Sequence, residues 1–381
     1  MAFEDVKEIF RTHWTIWKWM GQVTHPKYTK LYKAYSILVN VVFSLGYPVH
    51  LVIGLSQEKT IQGSLLNLTI SLPSVICVLK FYNTWRNFDK VRHLEQMYNT
   101  LYARLDHPED LAYYRKVTAP NAIRVVSAFK VICVGMAVTA ELTQLYVGFV
   151  YGWRLMYPGY FPFDPHGSTA GYVTAHIFQF IGLLTQISQN LMSDTYGAVC
   201  LALLAGHTHL LGQRLARIGY DKDKTREQHN QDFVDFIVDH NMLLNCQRTL
   251  VDIIGMGLFA LIISTSLLLA IVIIYPMFFV DNALEYAYYV FFMFGALMEV
   301  FPTCYYATHF EYEFEGLTYK IFSCNWVDQN RSFKKNLIVC LEQSLKARYV
   351  FVGGMFRINM QIFIAICKGA YSVFTLALNY K

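Results

Sequence analysis

Seven stretches of this chain are long and apolar enough to cross a membrane, and no other feature narrows its fold so far. They run over 34–55, 61–79, 131–153, 170–210, 253–280, 286–308 and 358–380, and none carries more than one formal charge. A bilayer core about 30 Å thick is crossed by roughly 20 helical residues. Within lipid every backbone polar group needs an internal partner, so single apolar spans of this length must be helices. The expected fold is therefore all-α: a polytopic membrane protein with seven transmembrane helices. The stretch 170–210, at about 1.5 Å per residue, is longer than the bilayer is thick and is expected to tilt or project. Composition agrees. Only 15% of residues are charged, against about a quarter in soluble proteins. Aromatics at 16% exclude a disordered chain, and a soluble nucleic-acid binder with one basic face is excluded too.

Orientation follows from the basic residues, which cytoplasmic loops retain. Of the 32 Lys and Arg, 24 lie in the amino-terminal segment through Lys30 and in the connections 86–124, 214–248 and 320–348. The alternate set holds only Lys59, Arg154 and Lys381. The amino terminus is thus expected inside and the carboxyl terminus outside, the reverse of a G-protein-coupled receptor. Neither an Asp-Arg-Tyr at the inner end of span three nor an Asn-Pro-x-x-Tyr in span seven is present. Residues 1–20 carry Glu4, Asp5, Lys7, Glu8 and Arg11 without the apolar core of a cleavable signal, so the first span is expected to direct insertion. The outer connections 56–60 and 281–285 are minimal, which leaves 154–169 as the one substantial lid. Inside, apolar residues recur at helical spacing over 88–111 and 233–250, as cytoplasmic helical extensions of the spans or as separate helices on the membrane surface. Phe3, Val6, Phe10, Trp14, Trp17 and Met20 give the amino-terminal segment the character of an interfacial helix.

Span seven is the most informative. Gln361, Ala365, Lys368, Ser372, Thr375 and Asn379 recur at steps of four and three, a small and polar stripe that is costly against lipid. It faces either packed protein or water. One helix cannot enclose water, so the second reading requires several subunits around an axis. The pore set is then Gln361, Lys368, Ser372, Thr375, Leu376, Asn379 and Tyr380, with Leu376 and Tyr380 bulky enough to close the outer end. Lys368 would oppose cations if every subunit turned it to the lumen. Gly353-Gly354 is expected to break the chain between an inner amphipathic stretch, 337–352, and the span. Asp194 and Glu299 are expected mainly to bond within the bundle. Glu141, near Gln144 and Tyr146, lies where a ligand from outside would meet it. An outer-half cavity would be lined by Ser71 and Leu72, by Glu141, Leu145, Tyr146 and Phe149, by Phe178, Phe180 and Ile181, and by Tyr288, Phe291 and Phe292. That wall suits a small volatile or lipid-like molecule held by shape and dispersion, although aromatics at span ends also serve as interfacial anchors.

Catalytic signals are weak. His207-Thr208-His209 places its histidines on nearly opposite sides of a helix. Gly-x-Ser-x-Gly, His-Glu-x-x-His and phosphate-loop patterns are missing from the chain, and the eight cysteines show no metal spacing. No enzyme activity, metal or other cofactor is expected. The sequons at Asn67 and Asn330 fall in a span and an inner loop, where glycosylation is not expected.

The run Lys368-Gly-Ala-Tyr371-Ser372-Val-Phe374-Thr375-Leu376, with Gly353-Gly354 before it, resembles the carboxyl-terminal signature Lys-x-x-Tyr-Ser-x-Phe-Thr-Leu of the insect odorant receptors. Chain length, inverted topology and short outer loops are similar throughout. The resemblance implies a ligand-gated cation channel: a tetrameric pore lined by span seven and shared with an odorant co-receptor, and an odorant pocket among spans two to six. It also implies an odour-tuning subunit, since the co-receptor has a larger fourth-to-fifth connection and lacks the lysine at the position of Lys368. Residues 1–308 would bind ligand through spans one to six, and 309–381 would form a cytoplasmic anchor helix and the pore helix. The partners implied are co-receptor subunits in a heterotetramer, a small volatile ligand and the bilayer, in the plasma membrane of a sensory dendrite. A gustatory receptor of the same topology is the near alternative. A carrier rocking about a midplane site is the distant one, and the internal repeat it calls for is not evident.

Overall fold

The structure is a computed structural model that describes residues 6–23, 29–152, 154–346 and 348–380. Its elements are α1 (Val6–Trp19), α2 (Thr29–Val39), a π-helical turn (Asn40–Leu45), α3 (Gly46–Gln57), α4 (Ile61–Arg86), α5 (Phe88–Ala103), α6 (Pro108–Tyr113), a second π-helical turn (Tyr114–Thr118) and α7 (Ala119–Tyr151). Then follow α8 (Thr169–Arg217), α9 (Arg226–Phe279), α10 (Ala283–Ser323), α11 (Arg331–Ser344), β1 (Phe351–Val352), β2 (Phe356–Arg357) and α12 (Met360–Tyr380).

Four of the long helices, α4, α8, α9 and α10, start where a short polar side chain satisfies a first-turn amide. Thr60 accepts from Gly63 N at 3.0 Å, Ser168 from Gly171 N at 3.0 Å and Asn282 from Leu284 N at 2.9 Å. Thr225 and Gln228 close a reciprocal box at 3.3 and 2.7 Å. Such caps contribute about 1 kcal/mol each and fix where each span begins. Pro73, Pro276 and Pro302 lie inside α4, α9 and α10, which membrane helices tolerate because neighbours satisfy the freed carbonyls.

Among the described residues, six helices have the length and apolar composition to cross a membrane: Thr29–Gln57, Ile61–Arg86, Pro108–Val150, Arg226–Phe279, Ala283–Ser323 and Met360–Asn379. The remaining expected span, 170–210, lies in α8, which falls short by composition because Gln179, Gln186, Gln189, Asn190 and Asp194 interrupt it. The physical reason is its position. α8 is the central post, packed against α4, α7, α9 and α10, and from Leu191 to Leu215 it is buried almost throughout. A helix walled in by helices has its polar groups answered by protein rather than lipid. Gly182 shows how close the packing is: a Cβ there would come 2.2 Å from the fully buried ring of Tyr47.

At roughly 1.5 Å per residue, the 49 residues of α8 and the 54 of α9 are roughly two and a half times as long as the bilayer core is thick. The stretch 233–250 is thus the same helix as span five. The stretch 88–111 is divided, ending α5 at Ala103 and resuming at Pro108. These projections gather at the end of the bundle that carries the basic connections, around a core of Phe233, Phe236, Phe310, Phe314 and Phe333. Ion pairs tie it together: Arg104 to Asp235 at 3.2 Å and Asp239 at 2.6 Å, Arg214 to Asp239 at 2.7 Å, and Arg217 to Asp110.

α1 docks onto α5 and α8. Trp14 Nε1 donates to both Glu95 oxygens at 3.0 and 2.8 Å, and His13 Nε2 meets Thr195 Oγ1 at 3.0 Å. Burial lowers the His13 pKa to about 3 and raises that of Glu95 to about 7. A carboxyl whose folded pKa lies above its ordinary 4.5 favours the fold as the acid, so this contact loses stability as pH rises from there towards about 7. The Glu95→Gln variant is expected to lose that component. The check is amide exchange of α1 across this range in both proteins, where an identical pH response would refute the assignment.

The amphipathic stretch 337–352 is not helical to its end. α11 stops at Ser344, and residues 351–357 form a small antiparallel hairpin pairing Phe351 with Arg357 and Val352 with Phe356. Gly353 and Gly354 turn it with φ of +59° and +67°, a region that other residues enter at a cost. The glycine pair therefore makes a β-turn rather than a plain helix break.

Candidate functional site

Inside the bundle a cavity opens between α4, α7, α8, α9 and α10. Four helices contribute a face at three- and four-residue spacing, Ile70, Pro73 and Ser74 of α4, Cys133, Met136 and Ala140 of α7, Leu183, Gln186, Ile187 and Asn190 of α8, and Tyr288, Phe291, Phe292, Ala296 and Glu299 of α10, while α9 adds Leu268. The walls are apolar and aromatic. Polar groups collect on one side, where Gln186 and Asn190 of α8 stand one turn apart and Glu299 of α10 joins them.

The connection from α7 to α8 covers the cavity with Tyr157, whose hydroxyl lies 3.4 Å from that of Tyr288. A latch of buried side chains holds this lid. Gln179 Oε1 accepts from Met156 N at 3.0 Å and Tyr157 N at 3.4 Å, while its Nε2 donates to Tyr157 O at 2.8 Å. The second Nε2 hydrogen reaches His50 Nε2 at 3.1 Å. His50 Nδ1 then donates to Tyr160 O at 2.7 Å, so one tautomer satisfies both ring nitrogens. Asn67 donates to Leu51 O at 3.0 Å and Pro158 O at 2.7 Å. Gln179 and Asn67 are both fully buried.

Beneath the cavity, Lys80 Nζ bonds both Asp194 oxygens at 2.7 and 2.9 Å, and the two side chains are 5% and 2% exposed. This pair joins α4 to α8 in the apolar interior. A narrow space lined by Lys80, Asn190, Ser264, Thr265 and Glu299 adjoins it, so Glu299 forms part of the wall of both spaces.

The joint before α12 is built with similar care. Arg357 binds Glu311 of α10 in a fork, Nε to Oε1 at 3.1 Å and Nη2 to Oε2 at 2.7 Å, and its guanidinium lies 3.5 Å from the Tyr349 ring centre. Gln247 of α9 donates to Tyr349 O at 2.8 Å, and Met360 N donates to Thr308 Oγ1 at 2.8 Å. Asn359 Oδ1 caps α12 by accepting from Gln361 N at 3.1 Å and Ile362 N at 3.2 Å.

The candidate residues read from sequence distribute unevenly about these features. Tyr288, Phe291 and Phe292 line the cavity. Ser71 is buried in α4, one position from the lining face, and Leu72 lines the adjoining narrow space. Phe178 packs on Tyr47, His50 and Phe161 beside a separate outer pocket, Phe180 is half-buried and Ile181 turns outward. Glu141 pairs with His176 at 3.1 Å. Leu145, Tyr146 and Phe149 project from the single chain, Phe149 at 87% exposure. On α12, Gln361, Lys368, Ser372, Leu376 and Asn379 are exposed and Thr375 half-buried. The Tyr380 side chain, Trp153 and Lys381 lie outside the described residues. The cavity residues that sequence reasoning missed are chiefly Pro73, Ser74, Met136, Gln186 and Asn190. Extending the helical period from Tyr288 and Phe292 to Glu299 would have marked that face of α10. Lys80 lies one residue beyond the sequence boundary at 79, which hid the partner of Asp194.

A family model described as 7tm Odorant receptor matches residues 60–371. The chain belongs to this odorant receptor family. As an odorant receptor it is a multi-pass membrane protein of a receptor family, not of an enzyme class. Odorant receptor 59a of Drosophila melanogaster is 33% identical, with 99% of this chain and 98% of that protein covered. Odorant receptor 33b of the same organism is 27% identical over 98% of this chain and 97% of its own length. The structure of the insect olfactory receptor OR5 from Machilis hrabei matches with a TM-score of 0.84 at 14% identity, covering 98% of each chain. The same receptor in complex with eugenol matches at 0.78 and 15% identity, covering 99% of this chain and 98% of that one. At such low identity the likeness shows the fold, and that fold is the expected all-α bundle of seven transmembrane helices.

Proposed function

We propose that this receptor is the odour-tuning subunit of a ligand-gated, non-selective cation channel assembled with co-receptor subunits as a heterotetramer in the plasma membrane. Its amino terminus lies in the cytoplasm and its carboxyl terminus outside. A small volatile molecule occupies the cavity under Tyr157, in the part of the chain comprising 1–308. Residues 309–381 anchor and present α12, whose polar stripe lines the pore. The observation that carries this reading is the outward turn of that stripe. At 100° per residue, Gln361, Lys368, Ser372, Thr375 and Asn379 lie within about 40° of one line along the helix, and all but the half-buried Thr375 are exposed on the single chain. Polar groups so placed need water or protein opposite them, and neighbouring subunits around an axis supply both. The eugenol bound by the Machilis hrabei receptor is a small aromatic molecule of the character that apolar and aromatic walls suit.

Ligand opens the pore only in so far as it binds the open packing better than the closed one. The route from cavity to α12 runs through α9 and α10, which hold the hairpin at Gln247, Thr308 and Glu311. The test is thiol accessibility in a Cys367→Ser background with the co-receptor present. Ser372→Cys is expected to let an external cationic thiol reagent suppress odorant-evoked current, while Phe374→Cys, on the opposite face, is expected to leave the current unaltered. Equal response at both positions would contradict the pore assignment.

A further inference from the structure

The polar side of the cavity is short of hydrogen-bond donors. Gln186 is 3% exposed, and its Nε2 donates to Ser44 O at 3.3 Å. That bond fixes the amide, and Oε1 is left buried without a partner. Asn190, one helical turn along α8, makes no hydrogen bond among the described residues, and its Oδ1 is also buried and unmet. Glu299 faces them from α10; its electrostatic neighbours are Asp194 and Lys80, and no group of the chain hydrogen-bonds to it among the described residues. Unmet buried acceptors are costly, and the two amide oxygens, Gln186 Oε1 and Asn190 Oδ1, on one side of the cavity define what its occupant must supply.

We propose that this receptor selects small apolar molecules ending in a hydroxyl group, alcohols or phenols, with Gln186 and Asn190 as the specificity-determining residues and Glu299 beside them. The inference rests on the odorant-binding reading above and names the ligand class of that site. A hydroxyl donates to Gln186 Oε1 while its oxygen accepts from the Asn190 amide, so one group answers both. An ether or ester oxygen only accepts, and leaves Gln186 Oε1 unmet. An ammonium donates but has no lone pair to accept from the Asn190 amide, so it answers only one of the two groups. Discrimination of this kind is strong because a site built to bond an O–H is left unpaired by an analogue that lacks it.

The test uses isomeric pairs, octanol against heptyl methyl ether and para-ethylphenol against para-methylanisole, with octylamine as the cationic arm. Each is applied to cells expressing the receptor with its co-receptor, and to the purified complex in a thermal-shift assay. The hydroxyl isomers are expected to activate at concentrations at least tenfold lower than their ethers, and to shift melting further. In Gln186→Leu and in Asn190→Leu, each checked for surface expression, the alcohol should weaken towards the ether while the ether response persists. Ethers as potent as their alcohols, with robust currents, would overturn the hydroxyl rule and leave the odorant-gated channel standing. Octylamine more potent than octanol would likewise overturn it in favour of a cation site. A complex at the surface that neither conducts nor shifts in melting with any probe would overturn both readings.

Discussion

Replacing Lys80 with methionine is expected to destabilise the receptor by about 3–5 kcal/mol, the range for removing one partner of a buried ion pair. Most of the protein should then be lost from the membrane. The cause is what remains. Asp194 is 2% exposed on its side chain and takes both its bonds from Lys80. The stabilities of membrane domains are of the same order as this loss, so surface protein should fall steeply rather than slightly. The pair as a whole is a different matter, since replacing both members by apolar groups of similar volume is often neutral or favourable. Lys80→Met combined with Asp194→Leu is therefore expected to recover much of the surface expression lost by Lys80→Met alone. Recovery of folding without recovery of odorant response would place the pair in the coupling between cavity and pore. Normal surface levels for the single variant would show that Asp194 finds another partner and that the pair is dispensable.

Gln179→Leu is expected to raise the half-activating concentration of any effective odorant by roughly tenfold or more, a loss of about 1.4 kcal/mol. Gln179 touches no ligand in this account. It holds the lid by accepting from two backbone amides and donating to Tyr157 O and His50. Leucine fills the same space and leaves those amides unmet, at about 1–3 kcal/mol for each buried group. The connection should respond by loosening, and Tyr157 would then leave the cavity wall. Gln179→Glu separates the roles, because it keeps the acceptor for Met156 and Tyr157 and loses both donations, so an intermediate shift is expected. Dose–response curves for the three receptors at matched surface levels provide the check. Unchanged potency in Gln179→Leu would mean that the lid is held elsewhere, by Asn67 and His50.

The long-range plan of the molecule was legible because it depends on length and hydropathy alone. Lipid permits few architectures, and stretches of this length with one charge or none leave little choice. The polar stripe of α12 was equally legible, since a period of three and four residues survives in any helix. What escaped notice was whatever depended on which helix is central. α8 looks like a poor membrane helix by its glutamines, and it is poor because other helices replace lipid around it. For the same reason Tyr146 and Phe149, aromatic and near the outer end of a span, resemble a pocket wall in sequence and project outward in space, as interfacial aromatics do. Lys80 closes a contact across more than a hundred residues, and no local pattern joins it to Asp194. The hairpin at Gly353-Gly354 was visible as a break but not as a β-turn, because glycine pairs serve both.

The central claim is that a ligand in the cavity under Tyr157 opens a pore to which α12 of this chain contributes, in company with co-receptor subunits. Whole-cell current tests it most directly, recorded from cells expressing the chain alone, the co-receptor alone and the two together, during application of volatile alcohols, phenols, ethers and esters. The account predicts a cation current evoked by some of these odorants only when both chains are present, and altered in reversal potential by Lys368→Ala. A surface-expressed pair that gives the co-receptor's response alone to every odorant, with no effect of any substitution on α12, would contradict it.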